Sequence, residues 1–307
     1  MSFKIREDEA LGESIRRVTC DQIANAIEAS RAMPNGKSSP VHQTRKHLKK
    51  ARAAVRLLRT EVKRNCFKRE DHRLRNVGRV ISDVRDAEVR LETVKRLRDG
   101  SDGSRSFAET EELLAFELDS FLAAFSGWQE EAARKLSLAQ SGIAHWQLHR
   151  LTRAQVCRTV RKSYRKGRHA LERARKSGKA SDFHQLRKQV KELSYQMRLL
   201  RPLEPVVFSE LCHSLETLGE QLGHAHDLCF VAERLESIGG GEGSKRSRRG
   251  LKALIDSREE DLLRTAVTLA KRFYATKPNE FSGRIARYFE AREQAVADAE
   301  ASLLVSF

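Results

Sequence analysis

The chain contains few of the residues that interrupt helices and few aromatic residues. Only five prolines occur in 307 residues, and Phe, Trp and Tyr together make up 6% of the sequence. Scarce proline favours long helices, because proline removes a backbone donor and collides with the preceding helical turn. Scarce aromatic residues disfavour proteins that bind single-stranded nucleic acid, since these proteins stack bases on aromatic rings.

The five cysteines are scattered and odd in number, and none forms a CxxC pair. This pattern predicts reduced core residues of a cytoplasmic protein rather than a disulfide framework or a zinc site. No stretch approaches 18 consecutive apolar residues, and the first residues, MSFKIREDEALGES, lack the apolar segment of a secretory signal. We therefore expect neither secretion nor insertion into a membrane.

Common catalytic and nucleotide-binding motifs are also missing. The sequence has no GxxxxGK[ST], GxGxxG, HExxH or GxSxG pattern, so we predict a protein that is not an enzyme and needs no cofactor. His145 and His149 lie four residues apart, and His224 and His226 lie two apart, so each pair offers metal donors. A metal site needs a third convergent ligand that the sequence does not identify, and none is predicted.

What the sequence does have is positive charge. Lys and Arg number 59 against 42 Asp and Glu, which gives a net charge of +17 and an isoelectric point near 10.0. Such an excess implies a polyanionic partner: nucleic acid, an anionic lipid surface or inorganic polyphosphate.

A basic stripe occurs twice. Residues 41–59, VHQTRKHLKKARAAVRLLR, return 142 positions later as residues 183–201, FHQLRKQVKELSYQMRLLR. On a helix each copy places an apolar stripe beside a cationic one, because residues three, four and seven apart share a face. The apolar stripes comprise Val41, Thr44, Leu48, Ala51, Val55, Leu58 and Val62 in the first copy, and Phe183, Leu186, Val190, Leu193, Met197 and Leu200 in the second. The cationic stripes comprise His42, Arg45, Lys49, Arg52, Arg56, Arg59 and Lys63 in the first copy, and His184, Arg187, Lys191, Arg198 and Arg201 in the second. Residues 41–60 contain no Asp or Glu, so a long anion would relieve the repulsion within the stripe.

The repeat extends beyond the stripes. Residues 76–89 match residues 217–230 at an offset of 141, which places Gly78 over Gly219 and Asp86 over Asp227. We expect the two aspartates to orient stripe side chains from behind. The chain is predicted to be a single domain, 1–307, made of two internal repeats at about 1–140 and about 141–307. A further basic row, on the helix before the second stripe, consists of Arg158, Arg161, Arg165 and Arg168.

Helical periodicity covers almost the whole chain, and no segment alternates for long enough to form a sheet. Short segments rich in Gly, Pro, Ser and Asp mark the helix ends. The predicted helices span roughly 8–32, 40–66, 69–99, 106–138, 143–176, 182–201, 206–238, 247–276 and 279–303. The glycine-rich, charged segment 239–250 is predicted to be a mobile basic loop.

These repeated segments resemble the CHAD domain, the conserved histidine α-helical domain. The likeness rests on the two His-x-x-Arg-Lys helices, on the segments that end at Asp86 and Asp227, and on RFYATKPNEFSGRIARYF near the C-terminus. It implies an all-α protein of two pseudo-symmetric four-helix bundles that form one CHAD-like body, with a central basic groove or pore that binds inorganic polyphosphate. The contacts that it implies are His42, Arg45, Lys46, Lys49, Arg52, Arg56, His184, Arg187, Lys188, Lys191 and Arg198. Arg161 and Arg165 join them as candidates from the further basic row.

The predicted function is polyphosphate binding in the cytoplasm, with polyphosphate granules as a place where such a protein would gather. A nucleic-acid-binding helical protein remains an alternative, although the stripes lack aromatic and amide residues for base contacts. An enzyme that acts on phosphate chains is the other alternative, which would need a metal-binding acidic cluster beside the groove. His42 and His184 are candidates for ligand contact or for a structural role.

Overall fold

The computed structural model describes residues 3–33, 39–99, 107–125, 127–237 and 242–305. Within these ranges the backbone forms eleven α-helices and one short 3-10 helix, with no strand. The first six helices are α1 (Leu11–Arg31), α2 (Pro40–Leu57), α3 (Arg64–Val80), α4 (Ser82–Asp99), α5 (Ala108–Ala124) and α6 (Trp128–Ala144). The remaining five are α7 (Arg153–Ser177), α8 (Ala180–Leu200), α9 (Pro205–Ser237), α10 (Glu242–Phe273) and α11 (Pro278–Val305), with the 3-10 helix at Arg201–Leu203. The predicted all-α class is confirmed.

The helices that carry the basic stripes begin at recognisable capping residues. Ser39 is the N-cap of α2, where its side chain accepts a hydrogen bond of 3.0 Å from the backbone N–H of His42, and Pro40 follows in the first turn. Proline is well tolerated there, because the first N–H groups of a helix have no partner within the helix. Helix α7 begins with a capping box between Thr152 and Gln155 and ends at Gly178, which adopts φ +64°. Its left-handed conformation favours glycine.

Four predicted helices have the wrong limits. The predicted helix 40–66 ends at Leu57, because the chain turns so that Leu57 and Leu58 are both fully buried. The predicted helix 69–99 is divided at Ile81 into α3 and α4. Predicted helix 106–138 divides into α5 and α6 before Gly127, whose φ of +83° does not continue a helix. Predicted helix 143–176 starts only at Arg153, since α6 runs on to Ala144.

The predicted loop 239–250 is also too long. Helix α10 already begins at Glu242, so residues 242–250 are helical, while residues 238–241 lie outside the described part of the chain. Lys, Arg and Glu are good helix formers, and the segment leads directly into the buried residues Leu251 and Ile255. Their burial anchors this end of the helix.

Two groups of helices pack around a shared core. In the first group α1 packs against α2 and α6, and α4 packs against α5. In the second α7 packs against α8 and α11, and α9 packs against α10. Helix α2 contacts α7 and α8, and α4 contacts α9, so the groups meet along these helices. Within the described residues no helix is long and apolar enough to cross a membrane.

The core is continuous between the two groups. One cluster contains buried side chains of both, such as Ile15, Leu48, Tyr164 and Leu193, and a smaller cluster joins α4 and α5 to α9 and α10. The predicted apolar stripes lie in this core, since Leu48 is 3% exposed and Leu193 is fully buried. Burial of each such side chain contributes about 1.5–3 kcal/mol. It also fixes the rotation of α2 and α8, so the adjacent cationic stripes face a defined direction. All five cysteines are free.

Candidate functional site

A cleft of about 440 Å³ lies along the contact between α2 and α8. Its cationic side chains come from α2, α3 and α8: Arg45, Lys49, Arg52, Arg56, Arg75, Arg79, Arg187, Lys188 and Lys191. Among the described residues one carboxylate, that of Glu192, lines the same cleft. Cations from both repeated stripes therefore line one cleft, which we call the central cleft.

Two cations of the central cleft, Arg52 and Arg56, are held by carboxylates. Arg52 binds Asp71 through two hydrogen bonds, from Nε to Oδ1 at 2.9 Å and from Nη2 to Oδ2 at 3.2 Å. Arg56 of α2 forms an ion pair with Glu192 of α8 and so connects the two helices. These acids reduce the charge that Arg52 and Arg56 present to a ligand.

Four other cations of the repeated stripes line the cleft without such a partner. Within the described ranges, no carboxylate forms an ion pair with Arg45, Lys49, Arg187 or Lys191. Arg45 donates from Nη1 to the carbonyl oxygen of Gly78 at 3.1 Å. The Nε group of Arg187 is buried without a hydrogen-bond acceptor. A buried donor of this kind is unfavourable until an acceptor binds.

Desolvation and neighbouring positive charges perturb the titration of Lys49. Desolvation by the cleft walls, together with the charges of nearby arginines and Lys191, lowers the pKa of Lys49 from 10.5 to about 7. The side chain is nevertheless exposed to solvent, as expected for a group that lies in a concave cleft that water enters. Desolvation also lowers the pKa of Lys191, and the charge of Arg187 adds to this effect. An anion would reverse both shifts.

The two matched glycines each lie beside a stripe cation. The carbonyl of Gly78 accepts the hydrogen bond from Arg45. A Cβ atom at Gly219 would lie 3.0 Å from Cε and 3.1 Å from Nζ of Lys191. The absence of a side chain at Gly219 therefore leaves the space that Lys191 occupies. At Gly78 the acceptor is a backbone carbonyl that any residue would supply, so the absence of a side chain matters to the contact at Gly219.

The matched aspartates are electrostatic neighbours of the same cations. Burial raises the pKa of Asp86, and the nearby charges of Arg45 and Arg90 oppose that rise. Burial likewise raises the pKa of Asp227, opposed first by Arg187. Within the described residues neither aspartate forms an ion pair with a stripe cation. Their proposed role in orienting the stripes stays a prediction.

The predicted histidines lie beside the central cleft rather than in its lining. The rings of His184 and His226 are 4.1 Å apart between centroids, and Nδ1 of His184 is buried without a partner. Burial, with the charges of Lys188 and Arg187, lowers the pKa of His184 to about 4. Burial, with the charge of Arg85, also lowers the pKa of His42. His184 is therefore neutral at pH 7.

Histidines considered as metal donors have other contacts. His226 packs on the ring of Phe230 at 4.5 Å between centroids, and His145 forms a hydrogen bond of 2.7 Å with the carbonyl oxygen of Ser141. In the part of the chain that the structure describes, no group of three or more His, Cys, Asp or Glu side chains is arranged to hold a metal ion.

Four other predicted residues lie away from the central cleft. Lys46 is exposed and does not line it. Arg161 and Arg165 are exposed on α7, and Arg161 donates to Oδ1 of Asn279 at 3.1 Å. Arg198 lines a separate opening and is bound to Glu216. The stripe cations Arg59 and Lys63 follow the end of α2 and so leave its face.

Three arginines were not predicted as site residues. Arg75 and Arg79 of α3 line the central cleft, and Arg85 of α4 is an electrostatic neighbour of Lys49 and Arg45. Arg85 is also bound to Glu88 and Glu92. The sequence contained one signal for these residues: they lie near Gly78, and Arg75 and Arg79 are spaced four residues apart. On a helix this spacing places both side chains on one face.

Comparison with known proteins supports one family. The CHAD domain model matches residues 21–236, more than half of the chain. No curated protein matches the sequence. Among solved structures, the crystal structure of the CHAD domain from the plant Ricinus communis is similar, with a TM-score of 0.64 and 15% sequence identity. The match covers 90% of this chain and 95% of that one, and at this identity it shows a common fold. The chain belongs to the CHAD domain family.

Proposed function

We propose that the protein binds inorganic polyphosphate in the central cleft. The observation that supports this function is the group of four cations, two from α2 and two from α8, that lack carboxylate partners within the described residues. A phosphate chain carries anionic oxygens on every unit and can accept charge-assisted hydrogen bonds from each of these side chains. Such a ligand would relieve the repulsion that the free protein contains.

The extent of the cationic surface favours a chain over a single small anion. Arg45 and Arg56 are eleven residues apart on α2, which corresponds to about 16 Å along the helix axis. Lys188 and Lys191 extend the surface on α8, and Arg75 and Arg79 extend it on α3. A linear polymer can contact several of these groups at once, whereas a lone phosphate contacts few.

We infer that the two repeats are related by an approximate twofold axis and share one ligand. The order of helix contacts supports this inference, because α1 with α2 and α6 corresponds to α7 with α8 and α11. The matched pairs Arg45 and Arg187, and Lys49 and Lys191, both line the central cleft. Since this cleft is compact, even a short phosphate chain should reach cations of both repeats.

The lining residues favour polyphosphate over the two alternatives. Tyr195 is the one aromatic side chain among the described lining residues, so stacking of successive bases has little support. Enzymes that cleave phosphate chains commonly hold Mg²⁺ through carboxylates. The lining carboxylate of Glu192 is already bound to Arg56. On this proposal the protein would gather in the cytoplasm wherever polyphosphate accumulates, granules included.

A competition experiment tests this function directly. Polyphosphate of defined length should displace both single- and double-stranded DNA from the purified protein at physiological salt. Tighter binding of either DNA than of polyphosphate would instead support the nucleic-acid alternative.

Two double variants test the location of the site. Arg45→Gln with Lys49→Gln, and Arg187→Gln with Lys191→Gln, each remove two contacts of about 1 kcal/mol or more. Each should weaken binding roughly thirtyfold. Arg284→Gln with Arg287→Gln is a matched control, because both residues are exposed on α11 away from the central cleft. Helical circular dichroism checks folding, and unchanged affinity in both double variants would place the site elsewhere.

A further inference from the structure

A second basic groove lies between α7 and α8, outside the central cleft. Its volume is about 500 Å³. The side chains of α7 that line it include Lys166, His169, Glu172, Arg173 and Lys176. Two amide side chains of α8, those of Gln185 and Gln189, line its other side. We call this surface the α7 groove.

Positive charge predominates in the α7 groove, where Glu172 is the one carboxylate among the described lining residues. Helix α7 contains ten Lys and Arg residues and a single acid, Glu172. The Oε2 atom of Glu172 lies 3.6 Å from Nδ1 of His169. Among the described residues, no carboxylate forms an ion pair with Lys166, Arg173 or Lys176. An ordinary solvated helix face mixes both signs of charge, so this surface differs from one that only serves solubility.

The spacing of these cations forms a track. Lys166, Arg173 and Lys176 follow an i, i+7, i+10 pattern, which places them on one side of α7. The track is about 15 Å long, at 1.5 Å per residue. All three side chains are exposed, while Ala170, which also lines the groove, and the neighbouring Gly167 and Ala174 are buried in the core. The cations are therefore available to a ligand without disturbing the core.

The α7 groove adjoins the central cleft. Gln189 lines both surfaces, and its neighbour Lys188 is exposed and lines the cleft. A linear ligand that leaves the central cleft past Lys188 therefore meets the α7 groove on the other side of α8. A compact ligand confined to the cleft does not reach it.

We propose that the α7 groove is an exit track for the same phosphate chain that occupies the central cleft, and that it makes the protein select long chains. This inference rests on the proposed function of the cleft. Contacts made by a second segment of a bound polymer form at high effective concentration and so add strongly to affinity. They also release further counterions. Tripolyphosphate, held by the cleft alone, gains neither effect.

Affinity measurements at two chain lengths test the exit track. The variant with Lys166→Gln, Arg173→Gln and Lys176→Gln should bind a long chain at least about tenfold more weakly, and tripolyphosphate within about twofold of the wild type. A control variant with Arg258→Gln, Arg284→Gln and Arg287→Gln removes the same charge from exposed positions on α10 and α11. It should preserve the preference for long chains. Circular dichroism should show unchanged helicity in both.

Lysine labelling with mass spectrometry gives a second, direct readout. Long-chain polyphosphate should protect Lys166 and Lys176 from an amine-reactive reagent, whereas tripolyphosphate should not. Both ligands should protect Lys49 and Lys191 in the central cleft.

The outcomes separate the two proposals. If the double variants of the central cleft lose binding while the triple variant matches its control and Lys166 and Lys176 stay unprotected, the exit track is wrong and the cleft stands. If the wild type binds polyphosphate of neither length, the proposed function is wrong and the exit track falls with it. A selective loss of long-chain affinity in the triple variant, with protection of both lysines, supports the track.

Discussion

Replacing Lys49 by methionine should make the free protein more stable while weakening its ligand binding. Lys49 lines the central cleft among other cations and lacks an ion-pair partner within the described residues. Methionine removes the charge and retains an unbranched apolar chain. The cationic neighbours whose charges lower the pKa of Lys49 are Arg187, Arg45, Lys191 and Arg85.

The size of the effect follows from these four neighbours. A like-charged pair at a solvent-accessible site costs about 0.2–0.5 kcal/mol. Removing four such pairs should raise the free energy of unfolding by about 1–2 kcal/mol, equivalent to a rise in melting temperature of roughly 1.5–3 °C for a chain of this length. Most substitutions change stability in the opposite direction by about 1 kcal/mol. An increase in stability would therefore indicate that Lys49 is repelled by its cationic neighbours.

Differential scanning calorimetry in a buffer without polyvalent anions measures this change. Lys68→Met is a matched control, because Lys68 is exposed on α3 and does not line the central cleft. It should leave the melting temperature nearly unchanged. Addition of polyphosphate should raise the melting temperature of the wild type more than that of the Lys49 variant. A Lys49 variant less stable than the wild type, or equally stabilised by ligand, would refute the reasoning.

The stabilisation should also depend on pH in a defined direction. The pKa of Lys49 is about 7 in the folded protein against an ordinary value of 10.5, so between these values the unfolded chain binds more protons. Stability of the wild type therefore rises with pH across this window. The advantage of Lys49→Met should be complete below about pH 7 and should disappear as pH approaches 10.5. An advantage that is independent of pH would contradict this assignment.

Salt should weaken long-chain binding steeply, because neutralising the chain with several cations releases its counterions. Titrations at several salt concentrations measure this slope, and an affinity indifferent to salt would argue against the electrostatic mechanism. The purified protein should leave polyphosphate intact after long incubation with Mg²⁺ or Mn²⁺, since Glu192 is bound to Arg56. Chain-length analysis tests this, and phosphate release that Glu192→Gln abolishes would support the enzyme alternative.

The faces of α2 and α8 were predictable from the sequence because their apolar spacing repeats. Leu48 and Val55 in one helix, and Val190 and Leu193 in the other, are buried as predicted. Burial of these positions leaves the adjacent cationic positions facing away from the core. The start of α2 at Ser39 and Pro40 was equally readable, since capping depends on local hydrogen bonds.

The ends of several helices were not predictable in this way. The apolar pattern of α2 continues to Val62, yet the helix stops at Leu57. Periodicity indicates which face a helix would bury, but tertiary packing decides where the helix ends. Leu57 and Leu58 are both fully buried, and Leu58 closes the helix by donating its N–H to Val55 at 3.1 Å. No proline or glycine marks this position.

Which stripe cations lack carboxylate partners could not be read from the sequence either. A stripe without interleaved acids suggests that all its members are available. In the structure Asp71 reaches Arg52, Glu192 reaches Arg56 across the α2–α8 contact, and Glu216 reaches Arg198. These acids come from other helices, so only the tertiary fold reveals them. Arg75 and Arg79 enter the site for the same reason.

Cations of the central cleft that are paired with carboxylates and cations that are not should contribute differently to ligand binding. Arg52 and Arg56 already bind carboxylates, so a phosphate must compete with an existing ion pair to gain their contact. The ion pair of Arg56 with Glu192 instead links α2 to α8. Arg45 and Lys49 have no ion pair to break among the described residues, and a polyanion that enters the cleft relieves their mutual repulsion. Ligand binding and stability are therefore coupled through the same side chains.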